Sequence, residues 1–120
     1  MDAKEKLDAL ARGLDLFNRG EFFICHEVLE RIWLEESEEE KPFYQGLIQV
    51  AAGFHHWQNG NRRGALSLLE AGGEKLRRYP PACNCVDLAA LLADLASWLA
   101  YLGETAPPAE PPLPVITLTR

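Results

Sequence analysis

Apolar residues recur at helical spacing in five successive stretches of the chain, separated by glycine, asparagine or proline. The first runs from about Lys4 to Arg19, where Leu7, Leu10, Ala11, Leu14 and Phe17 share one face. Gly20 supplies a stop, because glycine enters the left-handed conformation without penalty. A second helix follows at once, from about Glu21 to Glu36. Pro42 suits the first turn of a third, where a missing N–H costs nothing. That third helix runs to about Asn59. Phe43, Leu47, Ile48, Val50, Ala51, Phe54 and Trp57 cover more than half of its girth, which marks it as the central one. Gly60 ends it, and Asn61 caps a fourth helix. Ala65 and Gly72 on the fourth leave room for a neighbouring backbone. Glycine inside a helix costs about 1 kcal/mol relative to alanine, so Gly72 and Gly73 imply a packing reason. After Tyr79-Pro80-Pro81, Asn84 and Asp87 have the spacing of a capping box for a fifth helix. Leu88, Leu91, Leu92, Leu95, Trp98, Leu99 and Leu102 form its stripe, and Gly103 stops it.

The pattern predicts an all-α fold: a compact bundle of about five helices in one domain, residues 1–103, with a proline-rich extended tail, residues 104–120. The tail holds Pro107, Pro108, Pro111, Pro112 and Pro114 and cannot be helical. Val115, Ile116 and Leu118 allow it to lie on the helices as a strap. No strand partner for it is apparent.

Composition narrows the functions. Apolar residues make up 48% and charged residues 25% of 120 residues, a balance that excludes disorder. A net charge of −6 disfavours nucleic acid and anionic membranes. Glu35, Glu36, Glu38, Glu39 and Glu40 read as a solvated loop. No secretory signal is visible, and Leu88–Leu102 is too short to span a membrane comfortably, so a cytoplasmic protein is expected. Cys25, Cys83 and Cys85 read as free thiols, since Cys83-Asn84-Cys85 has no second pair to complete a zinc site.

The residues that carry chemistry lie on the second helix. At about 100° per residue, Phe22, His26, Leu29, Glu30 and Trp33 fall in one arc, with Phe23 at its edge and Glu27 to the side. His26 and Glu30 therefore sit within the apolar face, at a spacing where they interact. An antiparallel third helix brings Gln49 opposite Glu30 and Ala52 opposite His26, with His55 or His56 in reach. A pocket of His26, Glu27, Glu30, Gln49 and His55 is expected. It reads as a buried hydrogen-bond network, as a divalent-metal site using His26, Glu30 and His55, or as metal-free acid–base or ligand-binding chemistry. No cofactor is called for otherwise. His26-Glu27-Val28-Leu29-Glu30 lacks the second histidine of a zincin motif. Glu27 and Glu30 have the spacing, but not the histidine, of a di-iron bundle. Arg62 and Arg63 open the fourth helix, where positive charge opposes the dipole and would suit an anion.

Three segments resemble one family. Phe22 to Trp33, with His26, Glu27, Glu30 and Trp33, resembles the opening signature of a bacterial and archaeal family known as domain of unknown function 309. Gln45 to His55, with Gly46, resembles its second signature. Gly60-Asn61-Arg62-Arg63-Gly64-Ala65 resembles its third. The resemblance covers roughly Leu14 to Leu76. It implies a compact all-α fold and favours His55 over His56 as the inward histidine. It implies no activity.

Two functions are therefore expected in order. The first is a helical protein-interaction module, binding another protein or a copy of itself, because Ile24 and Val28 lie on the outer arc of helix two. The alternative is a metal-binding or small-ligand enzyme in which Glu30 orients His26.

Overall fold

In the computed structural model, which describes residues 1–103 and 109–119, five helices fold in order: α1 (Ala3–Asn18), α2 (Phe22–Glu35), α3 (Lys41–Gln58), α4 (Arg62–Leu76) and α5 (Leu88–Leu102). A two-residue hairpin, β1 (Ala82–Cys83) and β2 (Val86–Asp87), precedes α5. Pro107 and Pro108 of the expected tail lie outside the described residues.

The glycine stops work as the sequence implies. Gly20 and Gly60 have φ of +79° and +78°. In each turn the glycine N–H donates to the carbonyl three residues back, and the next N–H donates five residues back: Gly20 to Phe17 and Glu21 to Leu16, then Gly60 to Trp57 and Asn61 to His56. These are Schellman turns, which satisfy carbonyls that the helix leaves free. Asn61 then accepts from the Gly64 N–H at 2.9 Å and caps α4. A Cβ on Gly64 would sit 2.5 Å from the Asn61 amide nitrogen, so the glycine makes room for the cap. Gln58 donates to the Gly20 carbonyl and ties the two turns together.

Helices α3 and α4 approach most closely. A Cβ on Gly72 would lie 2.8 Å from the Gly46 carbonyl oxygen, and one on Gly53 would lie 2.8 Å from Leu69. The backbones are in contact, which only glycine at these positions permits. The other side of α3 packs on α2, and Phe17, Phe22, Phe54 and Trp98 form a continuous edge-to-face aromatic series through the core. Arg62 has a structural role: it donates to the Tyr101 carbonyl at the end of α5 and lies over the Trp57 and Tyr101 rings. The charge that opposes the dipole of α4 complements that of α5.

Two expectations are corrected here. Asn84 is not a helix cap. It occupies the hairpin turn with Cys85, both at positive φ, and Asp87 caps α5 by accepting from Ala90 N–H. The tail does have a strand partner. Leu118 bridges Val86 in antiparallel sense, the Asp87 N–H donates to Thr117, and the Thr119 N–H donates to Cys85. A hairpin made of Ala-Cys and Val-Asp is too short to announce itself by alternation. Asn18 clamps Ile116 through both of its backbone groups, at 3.0 and 2.8 Å. Ile116 is buried and Val115 is exposed, so the strap alternates like an edge strand.

Candidate interaction surface

Helix α2 has three sides. Phe22, Cys25, Leu29 and Ile32 are buried in the core. His26, Trp33 and Glu30 lie one step round, on the flank towards α3. There His26 shares a cleft of about 170 Å³ with Phe23, Ala52, His55 and His56. Glu30 and Trp33 share another of about 260 Å³ with Gln45 and Ile48. The remaining side faces outward and forms an open groove of about 620 Å³, bounded by Phe23, Ile24, Glu27, Arg31 and Leu34 with Arg12 of α1, and His26, Val28 and Glu30 reach its edges.

The sequence-predicted polar pocket is therefore half formed, and it lies on the surface. The His26 imidazole and Glu30 carboxylate meet at 3.4 Å between Nε2 and Oε2, with side chains 32% and 47% exposed. The buried network expected there is corrected to a partly solvated pair, and no polar or charged residue is fully buried among the described residues. The physical reason is angular. The true core arc centres between Cys25 and Leu29, so residues 26 and 30 fall beyond its edge. His26 Nδ1 is enclosed and has no hydrogen-bond partner among the described residues.

His55 does approach, through Phe23: the Phe23 ring lies 6.2 Å from His26 and 5.3 Å from His55. Both α3 histidines line the same cleft, but His56 is tied to Asn61, the cap of α4, and His55 to Asn59. Gln49 is corrected: it accepts from Lys75 Nζ at 3.0 Å and belongs to the α3–α4 side. Gln45 takes the place beside Glu30. Glu27 lines the outer groove. Among the described residues, no three His, Cys, Asp or Glu side chains converge to hold a metal ion, so His26, Glu30 and His55 do not assemble a ligand set. Cys25 is buried within α2, and burial pushes its thiol up to about 12, which leaves it inert as a nucleophile.

The outer side is the less expected feature. Phe23, Ile24 and Leu34 are 53%, 43% and 63% exposed. Val28, expected outside with Ile24, is buried instead, because it packs over Gly13 of α1. Leu34 and Arg12 escape a reading of the sequence aimed at the His/Glu pair. The signal was the spacing of Phe23, Glu27, Arg31 and Leu34, which line up along one side of a helix.

Fold and surface define a small all-helical domain with an amphipathic helix face left open. Residues 10–68 match the family described as domain of unknown function (DUF309). An uncharacterized protein of Aquifex aeolicus is 29% identical over 93 residues, 77% of this chain and 28% of its own length. The uncharacterized protein YpuF of Bacillus subtilis is 36% identical over 50 residues, 41% of this chain and 29% of its own length. The match thus spans under a third of these relatives. No described helix is long and apolar enough to cross a membrane.

Proposed function

We propose that this domain is a protein-interaction module that uses the outer face of α2. The observation that carries the reading is the alignment of Phe23, Ile24 and Leu34, all substantially exposed, along one open groove. Single exposed apolar residues are ordinary, whereas a contiguous set rimmed by charge marks an interaction site. Glu27, Glu30, Arg31 and Arg12 provide that rim. The reading places the protein in the cytoplasm, where its three free cysteines stay reduced, and assigns it no nucleic-acid or membrane partner. An enzyme built on the His26–Glu30 pair is the weaker alternative, since the pair is partly solvated and, among the described residues, no third titratable group is gathered to it as a metal ligand.

The test is photo-crosslinking in cells, with the reactive residue placed at Leu34 or, as a control, at exposed Arg63 of α4. Discrete protein adducts from position 34 and none from position 63 are expected. Equal yields from both positions would overturn the reading.

A further inference from the structure

Four positions on the outer face of α2 stand symmetrically about one level of the helix. Counting outward from the level of Leu29, Glu27 and Arg31 stand two residues to either side, and Ile24 and Leu34 stand five to either side. A helix laid antiparallel against a second copy, with the two-fold axis at that level, sets Glu27 against Arg31 of the copy. The same register sets Ile24 against Leu34 of the copy. Symmetry repeats each pair. At about 1.5 Å per residue the two charge pairs lie about 6 Å apart along the helix, and the apolar pairs about 15 Å apart, outside them. We propose that α2 pairs with α2 of a second copy in this register, giving a two-fold dimer; the proposal rests on the interaction-face reading above.

Two features of the same charged positions favour a copy over another partner. The charges are self-complementary, each negative position facing a positive one, which fixes register in an isologous contact. Glu27 and Arg31 also have no ion pair among the described residues, although both line the groove. The 14-residue helix is about 21 Å long, so the contact is small and the dimer weak.

The experiment is sedimentation velocity on the full chain across a wide concentration range, with circular dichroism to confirm that every variant is folded. Wild type forms a concentration-dependent dimer. Glu27→Arg alone and Arg31→Glu alone each raise the dissociation constant roughly tenfold or more, by setting like charges face to face. An equimolar mixture of the two variants restores the dimer, because every cross-pair again joins opposite charges. The double variant restores it too. Glu27→Arg makes an acidic chain less acidic, so bulk repulsion alone predicts stronger association, the opposite of the register. A dimer indifferent to the swaps, or a mixture that fails to recover, overturns the register. A wild type monomeric at every concentration overturns the pairing altogether. If position 34 still crosslinks to a different protein in that case, the interaction face stands and only the copy is wrong.

Discussion

Two adjacent glycines should respond in opposite directions to the same substitution. Alanine in a helix interior is favoured over glycine by about 1 kcal/mol, and both Gly72 and Gly73 lie inside α4. At Gly73 the added methyl meets the far end of Arg77 at 3.3 Å and Leu95 at 3.8 Å. Both can give way, so Gly73→Ala should stabilise by about 0.5–1 kcal/mol. At Gly72 the methyl meets the Gly46 carbonyl oxygen at 2.8 Å, Val50 Cγ2 at 3.0 Å and the Val50 nitrogen at 3.2 Å. A carbonyl in the middle of α3 has no other rotamer. The two helices must separate by several tenths of an ångström along their whole seam, which costs about 1–3 kcal/mol. The propensity gain offsets only part of that, and Gly72→Ala should destabilise by about 1–2 kcal/mol. Thermal melts followed by circular dichroism read the difference, at about 4 °C per kcal/mol for a chain of this size. The melting temperatures should move apart, with wild type between them. If Gly72→Ala melts as high as Gly73→Ala, the backbones of α3 and α4 do not touch and the seam has been misdescribed.

Three further outcomes follow from the core and the strap. Thiol labelling under native conditions should modify Cys85 quickly, Cys83 slowly and Cys25 only on unfolding, following their burial. The Cys25 thiol is raised from 9.0 to about 12 by burial, so the stability that comes from keeping it neutral is complete below pH 9.0 and is lost as pH rises towards 12. Buried Tyr44 is raised as well and adds to the alkaline slope, so Cys25→Ala should reduce that slope and not remove it; equal slopes would refute the assignment. Asn18→Ala removes both hydrogen bonds to Ile116 and leaves a buried backbone unit unpaired, at a cost of about 1–3 kcal/mol. Hydrogen exchange at the Ile116 amide should accelerate while the α3 amides stay protected; loss of protection throughout would show that the strap is part of the global unit.

The helices and their ends were legible because local rules decide them. Gly20, Gly60, Asn61 and Pro42 each act on a single turn, and each does in the structure what its own covalent chemistry dictates. The small residues of α4 were legible for the same reason: a glycine where alanine is better needs a neighbour. What failed depended on angle. Helix α2 alone does not reveal whether its core arc centres on Cys25 or on His26, since either choice buries Phe22 and Leu29. That ambiguity of about 100° is resolved only by the docking of α1 through Gly13 and of α3 along the other flank. It places Val28 inward and His26 and Glu30 at the surface. The strap's pairing with β2 was illegible because it joins residues more than thirty positions apart across a hairpin two residues long.

The clamp between Asn18 and Ile116 spans 98 positions. A contact so distant in sequence forms only after the intervening chain is compact, since closing a long loop costs entropy before the contact repays it. The α3–α4 hairpin, closed by a turn of three residues, bears the opposite relation to the chain and is suited to form first. The two kinds of glycine and asparagine device thus act at opposite ends of the folding reaction. Loosening the seam at Gly72 should slow the forward rate, whereas freeing Asn18 should leave that rate alone and shorten the lifetime of the native state.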